Sequence, residues 1–167
     1  VTDTLTVTSA DGSASQAIVV TINGANDAAV IGGATTGSLT ESTVAQTTTG
    51  QLTISDVDSA ATFQAQSGVA GSNGYGTFSV TATGAWTYTM NSAHAEFVGG
   101  TTYTDSFTVL AADGTAQVVT VSILGTNNAA VIGGATTGSL TESAVAQTTT
   151  GQLTISDVDS AATFQAQ

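Results

Sequence analysis

Apolar and polar residues alternate along short runs of this chain with the two-residue period of half-buried strands, and turn residues separate the runs. In Gln51-Leu52-Thr53-Ile54-Ser55 the inward positions are Leu52 and Ile54. Ala28 to Ile31 and Ser38 to Glu41 read as a broken first strand, and Thr62 to Ala65 as a short later one. Gly68 to Gly76 reads as a glycine-rich loop. Thr77 to Thr83 and Ala85 to Met90 form a hairpin about Gly84 that turns Phe78, Val80, Trp86 and Tyr88 inward. Tyr103 to Leu110 and Ala116 to Ile123 form a second hairpin, turning at Asp113-Gly114. Roughly seven short strands in about 100 residues predict an all-β, immunoglobulin-like sandwich. Helix formers are scarce and β-branched residues abundant, which agrees.

The same pattern recurs. Asn26 to Gln66 matches Asn127 to Gln167 with two differences, Asp27 against Asn128 and Thr43 against Ala144, at an offset of 101 residues (127 − 26). Thr2-Asp3 through Asp11-Gly12 corresponds to Thr104-Asp105 through Asp113-Gly114. The chain therefore divides into the C-terminal hairpin of one repeat (1–25), a complete repeat (26–126) and the N-terminal part of a third (127–167). It reads as a window on a longer tandem array.

Charge sharpens this picture. The chain has 12 acidic residues, no lysine or arginine and a formal charge of −12. Such a surface has no basic patch for nucleic acid and is repelled by anionic membranes. The second strand of each repeat ends in two aspartates one residue apart, Asp56 with Asp58 and Asp157 with Asp159. Two carboxylates about 4 Å apart repel by roughly 4 kcal/mol at an effective dielectric near 20, and no side chain here neutralises them. Clustered hard oxygens without cysteine or partnered histidine point to calcium.

Strand direction places these acids at the ends of repeats. Asp56, Asp58 and Asp113 fall at the end that carries the Asn26-Asp27 linker. Asp105, roughly 27 Å from Asp113 at about 3.4 Å per residue, falls at the opposite end with Glu41, and Glu96 is a further candidate there. Stacking repeats end to end then predicts two junction sets. One comprises Asp3, Asn26, Asp27, Asp56, Asp58 and Asp113; the other Glu41, Asp105, Asn127, Asn128, Asp157 and Asp159.

Tyr103-Thr104-Asp105-Ser106-Phe107-Thr108-Val109, Asp113-Gly114, the linker Ile22-Asn23-Gly24-Ala25-Asn26-Asp27 and the hairpin Gly84-Ala85-Trp86-Thr87-Tyr88 together resemble the VCBS repeats of giant bacterial RTX-type adhesins. That family is cadherin-like, and the order Asn-Asp linker, Glu, Asp-x-Asp, Asp-Gly is similar to the cadherin calcium pattern. The resemblance implies a tandem extender of a surface or secreted protein, stiffened by calcium between repeats and serving cell adhesion or biofilm formation. Its partners would be neighbouring repeats of the same chain or of identical chains. An extracellular filament assembled by strand complementation between chains is the alternative.

Three departures from that pattern bear on the expectation. The linker has no proline. Asn128 replaces an aspartate, which predicts weaker calcium binding or one ion fewer at the second junction. The absence of lysine and arginine leaves no trypsin site. An enzyme is not expected, for want of a nucleophile paired with a base: His94, the sole histidine, reads as a loop residue. Gly71-Ser72-Asn73-Gly74-Tyr75-Gly76 lacks the lysine and following helix of a phosphate loop, and Trp86 reads as core. No small-molecule substrate or membrane insertion is expected. The absence of cysteine removes disulfides as staples and suits calcium in the extracellular space.

Overall fold

A computed structural model describes residues 1–166; Gln167, the last residue of the third segment, lies outside them. The described residues contain strands, turns and loops and no helix.

β1 (Thr2–Thr8) and β2 (Ser15–Thr21) form an antiparallel hairpin in register from Thr2↔Thr21 to Thr8↔Ser15. Gly12 turns it with φ +71°, and the Asp11 carboxylate accepts from the Ser9 and Ser13 hydroxyls. Both faces of this two-stranded sheet are exposed.

Residues 30–124 form a two-sheet sandwich. β3 (Val30–Gly33), β4 (Thr36–Thr40), β5 (Thr47–Ser55), β6 (Gln66–Ala70), β7 (Gly76–Val80), β8 (Ala85–Met90), β9 (Thr102–Leu110) and β10 (Ala116–Leu124) follow in order. One sheet runs β3-β5-β8-β7-β6 and the other β4-β10-β9. The expected break in the first strand is a change of sheet: β3 pairs antiparallel with β5, whereas β4 pairs parallel with β10. Gly33 makes the step at φ +87°, where a Cβ would run into the backbone of Gln51 to Thr53.

Two expected elements differ. Thr62 to Ala65 contributes a single bridge, Phe63↔Ala111, rather than a strand. The strand on that side is β6, which begins at Gln66 and takes in the start of the expected glycine-rich loop; its register against β7 shifts between Gln66 and Val69. Gly68, at φ +65°, lies inside that shift, and a bulge of this kind breaks the period-two signal from which strands are read.

Alternation decides the core. Leu52, Phe78, Val80, Trp86, Tyr88 and Met90 enter from the larger sheet, and Phe107, Val109, Val119, Val121 and Ile123 from the smaller. Phe78 and Phe107 stack across the interface with centroids 4.3 Å apart. Each such burial contributes about 1.5–3 kcal/mol, so these eleven side chains sustain the sandwich despite its alanine-rich composition. Trp86 lies over Gly37 and Gly50, where a Cβ would collide with the ring, and its Nε1–H donates to Ala34 O at 2.7 Å.

β11 (Val131–Gly134) and β12 (Leu153–Ser156) repeat the β3–β5 pairing in the third segment, with Val131↔Ser156 matching Val30↔Ser55.

Candidate metal centres at the repeat junctions

β5 delivers Asp56 and Asp58 to the loop beside the first linker. Asp56 Oδ1 accepts the N–H groups of Asp58 (3.1 Å) and Ser59 (2.8 Å), which folds the Asp-x-Asp segment over its own first carboxylate. Asp58 Oδ2 accepts the N–H of Asp27 at 3.1 Å. From the β9–β10 turn, Asp113 Oδ2 accepts the N–H of Ala29 at 3.0 Å and the Asn26 amide at 3.4 Å. Ser59 donates to Asn26 Oδ1 at 2.9 Å. Asn26, Asp27, Asp56, Asp58 and Asp113 thus meet at one pole.

Two oxygens in these loops are left over. Asp56 Oδ2 is buried without a hydrogen-bond partner, and so is Asp159 Oδ1 in the second copy of the motif. A buried carboxylate oxygen with no donor is strongly unfavourable, and the chain has no lysine or arginine to supply one. Among the described residues no three His, Cys, Asp or Glu side chains gather closely enough to form a cage by themselves. A complete shell therefore needs amide and main-chain carbonyl oxygens as well, and Asn26 and Asn127 stand beside the two loops. All are hard oxygen donors, the kind that calcium takes in sets of six to eight.

The second junction is held from both sides. Glu41, 2% exposed, accepts through Oε2 from the N–H of Thr126 (3.0 Å) and closely from its hydroxyl. Asp159 Oδ2 accepts the N–H of Asn128 at 3.1 Å, and Ser160 donates to Asn127 Oδ1 at 3.4 Å. Asp157 Oδ1 accepts from the N–H groups of Asp159 and Ser160, and the first of these bonds leads in holding its carboxyl below the usual value. Asp113 is held down to about 2, first by the Thr115 hydroxyl, then by the N–H groups of Thr115 and Ala29.

Asp105 and Asp3 join neither set. Asp105 pairs with Val121, three rungs inside the end of the β9–β10 ladder, and is 1% exposed. Its oxygens accept from the N–H groups of Asn73 (2.9 Å), Tyr75 (3.1 Å), Gly76 (3.2 Å) and Ser106 (3.1 Å) and from the Tyr88 hydroxyl (3.1 Å). It holds the loop between β6 and β7 in place and bonds none of the linker residues. Burial, with the Asp105 charge next, pushes the Tyr88 hydroxyl up. Asp3 holds the equivalent place in β1, opposite Val20, and among the described residues accepts only from Thr4 N–H. Strand spacing puts Asp105 at this end of the repeat, but tertiary packing sets its direction by bringing the N–H groups of the β6–β7 loop onto its carboxylate. Glu96 bonds His94 Nδ1 at 2.8 Å, which leads in lowering its carboxyl pKa.

Ser59, Ser160 and Thr126 were not singled out by sequence reasoning. The two serines follow each Asp-x-Asp directly, a signal present in the repeat itself. Thr126 has no such signal, since the first linker carries Ala25 in its place.

The model of the bacterial cadherin-like domain matches residues 26–125. The chain belongs to that family. No curated protein matches it. The cadherin-like assignment is consistent with the all-β, two-sheet sandwich. Cadherin-like domains are structural and adhesive modules rather than enzymes, and bacterial ones typically occur in extracellular or surface proteins. In this cadherin-like repeat the matched span begins at Asn26, the residue that bonds both the Asp-x-Asp loop and Asp113, so one junction set lies within it.

Proposed function

We propose that this chain is an extender segment of a large bacterial surface or secreted adhesin of the VCBS, RTX-associated type, in which calcium at the junctions holds successive cadherin-like repeats in line for cell adhesion or biofilm formation. The unpartnered buried oxygens of Asp56 and Asp159 support this reading most directly: the same loop leaves a bare carboxylate oxygen at each of two junctions. At the first, Asn26, Asp27, Asp56, Asp58 and Asp113 would hold the ion; at the second, Glu41, Asn127, Asp157 and Asp159. Bound there, calcium supplies positive charge that the chain itself lacks. The residues do the remaining work. Asp58 and Asp159 fix linker N–H groups, and Glu41 ties the end of one repeat to the linker of the next.

Extracellular calcium modules bind at about 10⁻⁴–10⁻³ M. Titration calorimetry with CaCl₂, paired with small-angle scattering in CaCl₂ and in EGTA, tests the proposal. Binding in that range with a longer particle in CaCl₂ is expected; no heat and superimposable scattering would sink it. Concentration-dependent polymers would instead favour strand complementation between identical chains.

A further inference from the structure

Asn128 stands where the first linker carries Asp27. The exchange changes what faces the preceding repeat. Asn128 Nδ2 donates to Ala95 O at 3.0 Å, while the Asn128 main-chain N–H donates to Asp159 Oδ2 at 3.1 Å. One residue therefore bonds the body of the second repeat with its side chain and the third with its backbone.

The carbonyl it reaches is presented by a stiff loop. His94, immediately before Ala95, has φ +57°, a conformation L residues seldom adopt, and is 8% exposed. Its ring bonds Tyr75 O and Glu96 Oε1, each at 2.8 Å, and stacks on Phe97 at 4.7 Å; Phe97 in turn stacks on Tyr103 at 3.8 Å. Ala95 O is thus held toward the linker by groups that do not belong to the junction acids.

An aspartate at position 128 would set a carboxylate against that carbonyl, two acceptors with no hydrogen between them. A cation placed between them, or rotation of the linker away, resolves the conflict. We infer that Asn128 is a metal-independent latch: a junction built with asparagine here keeps its orientation without a divalent cation, whereas one built with aspartate holds it only when the cation is bound. The second half of this statement rests on the calcium reading above; the first does not. A tandem array mixing both residues would have permanently fixed joints and calcium-conditional ones.

The test uses the 167-residue chain, Asn128→Asp and Asn128→Ala, with residual dipolar couplings of β11 and β12 measured relative to β3–β10 in EGTA and in CaCl₂. Trp86 fluorescence verifies that the middle repeat is folded in each. The latch predicts wild-type couplings of equal size in both buffers and couplings reduced at least twofold in EGTA for both variants, with CaCl₂ restoring Asn128→Asp. Wild-type couplings that collapse in EGTA as far as those of the variants, or variants that stay ordered there, would overturn it. Failure of CaCl₂ to restore Asn128→Asp would leave the latch standing and count against the calcium reading alone.

Discussion

Glu41 and Asp159, which belong to different repeats, grip the same linker two residues apart: Glu41 Oε2 accepts the N–H of Thr126 at 3.0 Å, and Asp159 Oδ2 that of Asn128 at 3.1 Å. The linker backbone is thereby fixed at both ends by carboxylates, and Asn127 lies between them. Orientation between repeats is built from main-chain donors, which explains how a junction without proline still takes a defined path.

Glu41 is nearly inaccessible and is the side-chain acceptor of Thr126. Glu41→Ala leaves the Thr126 N–H unsatisfied and its hydroxyl with only the Glu41 main-chain carbonyl, at 3.3 Å, and should cost about 1–3 kcal/mol in urea unfolding. Glu41→Gln keeps an acceptor and should cost less in EGTA. In CaCl₂ both variants should forgo the same calcium gain, because both lack the charge, so the gap between them should persist.

Asp56 permits a prediction with a change of sign. In Asp56→Asn the amide oxygen still accepts from Asp58 and Ser59, while an NH₂ replaces the unpartnered oxygen. Melting temperature in EGTA should therefore hold or rise. In CaCl₂ at about a hundredfold above the dissociation constant, the variant should forgo a gain of about 2.7 kcal/mol per site. A variant equally shifted in both buffers would show Asp56 to be purely structural.

Asp105→Ala removes the acceptor for four main-chain N–H groups and the Tyr88 hydroxyl. A loss above about 3 kcal/mol is expected, the same in EGTA and CaCl₂. Asp3→Ala, at the equivalent but exposed position, should stay within about 0.5 kcal/mol.

Acid should expose the first junction. Asp113 titrates at about 2 against the usual 3.8, so its contribution is complete above the unfolded value and disappears as pH falls from about 4 to 2. Melting temperature followed over that interval should fall less steeply for Asp113→Asn. Asp11 is held equally low, first by Ser9 and then by Ser13, yet lies in the exposed turn of the first hairpin. Asp11→Asn should leave the acid transition of the middle repeat unchanged.

Gly50 and Gly151 occupy the same place in identical sequence. A Cβ at Gly50 would collide with the Trp86 indole, whereas one at Gly151 would meet only Ala135, at 3.2 Å, a tight approach that a small shift relieves. Gly50→Ala should cost about 1–3 kcal/mol or more by overpacking, and Gly151→Ala far less, as judged by Trp86 fluorescence during denaturation.

Much of this molecule is legible in its residues. Alternation names the inward face of β5, β7 and β8, because a strand's side-chain period leaves Leu52, Phe78 and Trp86 one direction in which to be buried. The absence of lysine and arginine, with the fixed spacing of Asp56, Asp58 and Asp113, places the acids near chain reversals. Three-dimensional packing alone decided that Asp105 turns inward to the loop before β7, that Ala95 faces the linker and that Asn128 donates to it, since each depends on a partner distant in sequence.

Thr-Gly-Ser-Leu-Thr shows the division most plainly. At residues 36–40 it is β4, paired in parallel with β10; at residues 137–141 the identical segment is not a strand. Its alternation qualifies both copies for the sheet, but a strand exists only where another backbone supplies its hydrogen bonds. Among the described residues only the first copy has that neighbour beside it.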